Sequence, residues 1–302
     1  MTSILKTLEE KFSNETRFNK KLANYSWFNT GGHADIFFRP NDTKQLAEFV
    51  KLIKHEYKKF ITLGAGSNTL IRDGGVKGVV IKLGPKFSHT KLLKQNVIEV
   101  GAATLDKKVS EFAAENNIGG LEFLSCIPGS IGGGVRMNCG CYGGDISKIL
   151  TSVKVMDGEG NIKDIKKEEI CFYYRGCDLP NTLILLSAEL TGVTSNFENI
   201  KEKQNELINR KKISQPSQVK TCGSTFKNPK SEKAWTLIKK SNCENMSVGK
   251  AHLSKKHCNF LINSGDATSL EIEELINNVR NKVHKETGVN LELEIKIIGT
   301  DK

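Results

Sequence analysis

Apolar residues recur along this chain in two rhythms, and the rhythms alternate. Ile4, Leu5, Leu8 and Phe12 lie three or four residues apart and predict a short N-terminal helix with one apolar face. Residues 34–39 (ADIFFR) read as a strand stopped by Pro40. Asp42 or Thr43 can then cap a helix, since a side-chain oxygen there accepts an orphan backbone N–H, and Leu46, Phe49, Val50 and Ile53 follow at helical spacing. Residues 60–63 and 79–83 return to strand, which makes a strand–helix–strand unit with a small-residue loop after its second strand.

From residue 97 the order is strand (98–100), helix (105–115), and then a glycine-dense segment, 119–144, expected to lack regular structure. Residues 153–156 and 162–165, joined by Asp157-Gly158-Glu159-Gly160-Asn161, predict a hairpin, and 183–190 a further strand. A polar helix over 198–212 reads as a connection into another domain. Residues 269–285 are amphipathic through Leu270, Ile272, Leu275, Ile276, Val279 and Val283, and 291–298 alternates as a closing strand. The class is α+β, in three parts. No repeat of 20 to 50 residues and no low-complexity tract appears, which excludes solenoids and propellers.

Length and composition narrow this picture. At about 100–200 residues per domain, 302 residues predict two or three domains with real cores. No apolar run approaches the ~20 residues of a membrane span; VVIKL at 79–83 is typical of the longest. The N-terminus shows no apolar core followed by a small-residue cleavage site, so a soluble, cytoplasmic chain is expected. Its 8 cysteines contain no C-x-x-C pair and no His at zinc-ligand spacing, so reduced, packed thiols and no metal site are expected.

The net charge of +11 is concentrated: residues 201–257 hold 14 Lys/Arg against 4 Asp/Glu. Such a segment attracts an anion. It has only Phe226 and Trp235 as aromatics and no zinc-finger or RNP pattern, which leaves nucleic acid and a phosphorylated small molecule both open.

Three loops carry candidate chemistry. Gly64-Ala65-Gly66-Ser67-Asn68-Thr69-Leu70 follows a strand and lacks bulk, so its backbone N–H groups can approach a phosphate; an ordinary tight turn accounts for the same residues. It is neither a P-loop nor a G-x-G-x-x-G turn. The second loop runs from Ile127 through Pro128, Gly129, Ser130, Gly132, Gly133, Asn138, Gly140 and Gly143 to Gly144. Two such loops suit an elongated ligand clasped by backbone from two sides, and a dinucleotide has that shape. The third, Cys222-Gly223-Ser224-Thr225-Phe226-Lys227-Asn228-Pro229, sets a Ser three positions before a Lys, as a proton donor or phosphate ligand, or simply as a loop serine bonded to local backbone. No G-x-S-x-G elbow supports a hydrolase.

These loops, together with Thr30-Gly31-Gly32-His33-Ala34-Asp35, Asp73-Gly74-Gly75, Tyr174-Arg175 and Leu291-Glu292-Leu293-Glu294-Ile295, resemble the UDP-N-acetylenolpyruvoylglucosamine reductase family, in the same order, from about residue 20 to 299. The resemblance implies a two-lobed FAD-binding domain of the vanillyl-alcohol-oxidase (PCMH) type, with lobes at 1–85 and 86–195, a C-terminal substrate domain at 196–290, and a final strand, 291–302, returning to the first lobe. It implies FAD between the lobes, with its pyrophosphate against residues 64–68 and 128–134, and further cofactor contacts from Leu70, Asn138, Gly140 and Gly143. NADPH would reduce the flavin, and UDP-N-acetylenolpyruvoylglucosamine would then be reduced in peptidoglycan precursor synthesis. Arg175 would stabilise the enolate, Ser224 would donate the proton and Glu294 would assist; Tyr174, Arg175, Lys227 and Asn228 would hold the substrate. A monomer is expected, with no nucleic-acid or membrane partner.

Departures from the family pattern have consequences. Cys177 stands two places after Arg175 where Ser is usual, a weaker donor for orienting the Arg. Cys139 and Cys141 stand where Ala is common, which favours packing. The short stretch after Arg175 matches the compact subtype. With no His or Cys in residues 64–70, noncovalent FAD is expected, His33 and Cys126 being the remaining candidates for attachment. A sugar oxidase of the same fold would keep the two glycine-rich loops but has no need for residues 223–229 combined with Glu294.

Overall fold

Asp42 settles where the first amphipathic helix after the N-terminal one begins. Its carboxylate accepts from the Gln45 N–H at 2.9 Å and caps the helix Thr43–Ile53. Leu46, Phe49, Val50 and Ile53 are buried as the spacing predicts, and Phe49 stacks on Phe38 of the strand His33–Phe38 with ring centroids 3.6 Å apart. The N-terminal helix Ser3–Lys11 adds Ile4 and Leu8 to the same core.

The computed structural model describes residues 3–57 and 60–301. Met1 and Thr2, the start of the segment read as lacking a secretory signal, lie outside them. The described residues form two compact units: one from 3–18, 36–65 and 78–210, the other from 19–35, 66–77 and 211–301. Residues 19–35 and 66–77, grouped with the first lobe on sequence alone, thus cluster with the C-terminal part. Four of the five crossings of the chain from one unit to the other fall within regular elements, among them the helix Phe197–Ser214.

The first unit holds a five-stranded antiparallel sheet. Its order is Ile162–Lys166, Leu150–Met156, Ile184–Thr191, Val97–Gly101 and Thr90–Lys94. The hairpin expected at 153–165 is its outer pair, in register Val153↔Ile165. The helix Asp106–Glu115 buries Val109 and Ala113 against this sheet's core. Phe60–Thr62 runs parallel to Val76–Ile81 in a separate four-stranded sheet.

The structure corrects three expectations. The glycine-dense stretch 119–144 is not irregular throughout: Glu122–Cys126 forms a 3-10 turn and Ile131–Met137 an α-helix. Glycine is a poor helix former, but burial of Ile131 and Val135 offsets that cost, and the bare backbone lets this short helix sit close to its neighbours. Residues 291–298 are a regular strand only at Lys296–Ile298, which pairs in parallel with Thr69–Ile71; upstream, Leu293 makes a single bridge with Phe226. Leu270 is exposed, because at about 100° per residue it lies on the side of its helix opposite the face of Ile272, Leu275, Ile276, Val279 and Val283. A strand at Thr16–Lys21 has no signal in its mostly polar sequence; only the structure shows its alternating burial.

The second unit is built around the helix Ser269–Thr287. Thr268 and Glu271 form a capping box, and Asp73 accepts from the Ser269 and Leu270 N–H groups (3.1 and 3.2 Å), placing an anion at the positive helix end. Gly288, at φ 71°, closes it. Ile272, Leu275, Ile276, Val279 and Val283 pack into a core shared with Phe226, Leu237, Leu253 and Leu261. The antiparallel strands Ser247–Val248, Ala251–Leu253 and Leu261–Asn263 complete the unit.

Candidate active site

In the first unit the two glycine-rich loops meet. A Cβ added to Gly64 would stand 2.9 Å from Ser130 Oγ and 4.0 Å from Gly133 Cα, so any larger residue would push the Ser130 hydroxyl aside. The second loop is hooked in place by Ile131 N–H to the Thr104 carbonyl (3.0 Å) and Gly132 N–H to the Ala102 carbonyl (2.9 Å). Pro128 and Gly133 are exposed, and Ala65 and Gly132 partly so. Ser130 Oγ is buried and has no hydrogen-bond partner among the described residues. Lys82 donates its ammonium to the Gly64 carbonyl, and burial, with the charge of Arg39, lowers its pKa. A bare backbone cradle, an unpartnered hydroxyl and a cation at its edge suit a pyrophosphate.

Beneath this loop lies Asp106, fully buried, its carboxylate oxygens without a well-formed hydrogen bond among the described residues and with the Gly129 N–H as a nearby donor. Burial pushes its pKa up to about 8, the Gly129 backbone beside it pulling the other way. A Cβ on Gly129 would come within 2.5 Å of an Asp106 oxygen, so the loop rests directly on the acid.

The loop's far end supports a hairpin. Asn138, left-handed at φ 41°, accepts from Ser147 N–H (3.0 Å) and donates to the Tyr173 carbonyl (3.2 Å). Its amide is therefore committed to protein partners. Phe172–Tyr173 pairs with Gly176–Cys177, leaving Tyr174 and Arg175 as the turn. Arg175 takes φ 60°, a conformation for which Gly is the default residue in a turn's second position. Its guanidinium donates to the Gly140 carbonyl (2.9 Å) and lies 5.0 Å over the ring of exposed Tyr174. A non-glycine residue held in this strained conformation suggests a functional constraint. Gly143 is exposed, with open space around a would-be side chain.

The second unit holds the other candidates. Gly66 has φ 73°, and a Cβ there would lie 1.9 Å from the Tyr25 carbonyl oxygen, so no other residue fits this turn. Ser67 is half-buried. Asn68 donates its amide to the Glu294 carbonyl (3.1 Å), and its own carbonyl accepts from Lys296 N–H (2.9 Å). Leu70 is fully buried in the core that contains Phe226 and Ile295.

Ser224 follows Gly223 (φ 78°) in a segment clamped on both sides. Thr225 N–H reaches the Asn259 carbonyl (2.8 Å), Glu294 N–H the Thr225 carbonyl (2.8 Å) and Lys227 N–H the Glu292 carbonyl (2.8 Å). The buried Asn259 amide brackets Phe226, accepting from its N–H (3.0 Å) and donating to its carbonyl (2.8 Å). Ser224 thus precedes Thr225 in the chain, Glu294 is bonded to Thr225 from the facing segment, and both are half-buried. The Lys227 ammonium is 3.4 Å from the Glu292 carboxylate, and Asn228 accepts from Ala234 N–H (3.0 Å) at the start of the helix Ala234–Lys240.

Comparison with known proteins identifies the domains of the chain. A model of an FAD binding domain matches residues 34–166, and one of the UDP-N-acetylenolpyruvoylglucosamine reductase C-terminal domain matches 215–298. Curated reductases of that name from Pelagibacter ubique and Rickettsia akari are each 45% identical to this chain. The first alignment covers 95% of this chain and 97% of the relative, the second 92% and 94%. The chain belongs to the UDP-N-acetylenolpyruvoylglucosamine reductase family. A crystal structure of the reductase from Thermus caldophilus superposes with a TM-score of 0.82 at 31% identity, covering 94% of this chain and 98% of that one. As a member of this family with an FAD-binding domain, the protein is an FAD-dependent oxidoreductase of the α+β class.

Several contributors had no sequence signal. Asp106 reads as an ordinary acid in a helix first turn, Asn259 as a loop amide, and Lys82 as one of many lysines. The basic segment is also less of a patch than its count suggests. Lys203 faces Glu122, Lys240 faces Glu232, and the Lys220 ammonium binds the Gly265 carbonyl. No helix among the described residues is long and apolar enough to cross a membrane.

Proposed function

We propose that this chain uses NADPH, through noncovalently bound FAD, to reduce the enolpyruvyl group of UDP-N-acetylenolpyruvoylglucosamine, acting as a cytoplasmic monomer in peptidoglycan precursor synthesis. The supporting observation is the junction of Gly64 with Ser130, a backbone cradle with an unpartnered buried hydroxyl inside a matched FAD-binding domain. Residues 64–68 and 128–134 would hold the pyrophosphate, with Leu70, Asn138, Gly140 and Gly143 shaping the site around it. We take 1–85, 86–195 and 196–290 as two FAD lobes and a substrate domain, with 291–302 returning to the first.

What FAD supplies when bound is a hydride, taken from NADPH and delivered at N5 to the enolpyruvyl β-carbon. That transfer leaves negative charge on the α-carbon, shared with the adjoining carboxylate as an enolate. Arg175 stabilises this charge; a guanidinium fork matches a carboxylate and stays charged at any working pH. Ser224 donates the proton to the α-carbon, where a strongly basic carbanion compensates for the high pKa of a hydroxyl. Glu294, tied to the same segment through Thr225, assists as a further acid or by positioning charge. Tyr174, Lys227 and Asn228 complete the substrate contacts.

The test separates the two half-reactions. Purified protein should carry FAD absorbance, bleach anaerobically with NADPH, and recover its colour on adding the enolpyruvyl sugar nucleotide. Ser224→Ala should bleach at nearly the normal rate but recover slower by orders of magnitude, because only the second half needs the proton. Equal losses in both halves would remove Ser224 from the role. Recovery with oxygen and not with the sugar nucleotide would overturn the assignment of substrate.

A further inference from the structure

The hairpin that carries Arg175 has two residue pairs, Phe172↔Cys177 and Tyr173↔Gly176. A two-stranded ribbon of that length does not hold itself in place in water. The position of Arg175 is therefore set by what pins the hairpin to the rest of its unit: Phe172 and Cys177 pack against the core, and three polar contacts reach one short stretch, residues 136–140. Asn138 donates to the Tyr173 carbonyl, Arg175 itself donates to the Gly140 carbonyl, and the Cys177 thiol points at the Arg136 carbonyl from 3.7 Å. A thiol is a weak donor, and at that distance it contributes little.

The strong anchor is the side chain of Arg136. Its guanidinium donates to the Leu179 carbonyl (2.8 Å), the Pro180 carbonyl (3.0 Å) and the Leu183 carbonyl. These three belong to the turn through which the chain leaves the hairpin, itself closed by Leu183 N–H to the Pro180 carbonyl (3.1 Å). A planar fork with five fixed donors can hold three spread carbonyls at once without reorienting, and charged donors make the stronger bonds. Burial lowers the Arg136 pKa, the neighbouring Cys177 raising it, and the group remains charged at any working pH.

Arg136 also sits on the helix Ile131–Met137, which begins directly after Ser130 and is fixed in the core by Ile131 and Val135. The loop that cradles the proposed pyrophosphate and the clasp on the turn that follows the Arg175 hairpin are thus two ends of one short helix. We propose that Arg136 is a positioning residue for the reductive step: it ties the Arg175 turn to the glycine-rich flavin loop, so that a correctly seated loop and a correctly placed Arg175 come together. The inference rests on the function proposed above.

Its test uses FAD-loaded enzyme and reads both half-reactions by anaerobic stopped flow. Arg136→Met, which keeps the aliphatic stem and removes the donors, should bind FAD stoichiometrically and be reduced by NADPH within about twofold of the parent. Its reoxidation by the enolpyruvyl sugar nucleotide should slow at least tenfold at saturating substrate. Arg136→Lys, able to reach fewer carbonyls, should fall between, and it keeps the test open should the Met variant not fold. In an Arg175→Lys background, either change at 136 should cost less than threefold in reoxidation, since the group it positions is already altered. Additive losses in that cycle, or equal slowing of both half-reactions, would overturn the proposal. If the parent enzyme itself is not reoxidised by the sugar nucleotide, the function reading fails instead.

Discussion

Replacing Asp106 with Asn tests the most unusual electrostatic feature of the fold. The carboxyl is fully buried under the Gly129–Gly134 loop, and burial, outweighing the nearby Gly129 N–H, raises its pKa from 3.8 to about 8. Between those values the native state keeps a proton that the unfolded chain has released. Stability contributed by this linkage is therefore fully present below pH 3.8 and is lost as pH rises through about 8. At about 1.36 kcal/mol per pH unit, raising the pH from 5 to 8 costs the native protein up to about 4 kcal/mol through this one group.

Asn has the shape of the protonated acid but does not ionise, so Asp106→Asn should remove that slope. Its second amide hydrogen adds an unpaired donor costing about 1–3 kcal/mol, but equally at every pH. The expected result is a variant near or below the parent in stability at pH 5 that overtakes it by pH 8. Urea denaturation at several pH values, followed by far-UV circular dichroism, measures this; Trp fluorescence would not, because Trp27 and Trp235 both lie in the other unit. Parallel stability curves for parent and variant from pH 5 to 8 would refute the reasoning, since they would mean that Asp106 ionises alike in both states.

Other buried groups give two further expected outcomes. Asn259→Ala strips both backbone partners from buried Phe226 and should destabilise the protein by about 2–4 kcal/mol in urea titrations, while slowing flavin reoxidation more than NADPH reduction because the Ser224 segment loses its clamp. Cys222, its thiol pushed up to about 11 mainly by burial, should resist iodoacetamide at pH 8 under native conditions while exposed Cys171 is alkylated, as read by peptide mass spectrometry; equal labelling would contradict the packing around Gly66 and Thr69.

Local patterns were enough to find most of the elements. The helices at 43–53, 106–115 and 269–287 and the hairpin at 150–166 are written in apolar spacing, caps and turn residues, since each depends on neighbours within four or five positions. The ordered motifs were enough to identify the family, and the two small-residue loops suggested a dinucleotide before any coordinate. The helix at 131–137 escaped because its glycines oppose helix formation and only burial of Ile131 and Val135 overrides them.

What tertiary structure alone decided is which side chains meet across long stretches of chain. Nothing near Asp106 in sequence says that a loop 23 residues later will rest on it and hold it neutral. Nothing in Arg136 distinguishes it from a surface cation until the turn at 179–183 folds over its guanidinium. Asn68 and Glu294 are separated by 226 positions and are joined by one amide hydrogen bond. Spacing records local geometry, whereas burial and hydrogen-bond partnership depend on how distant segments pack, and these set the charge states and orientations on which the chemistry rests.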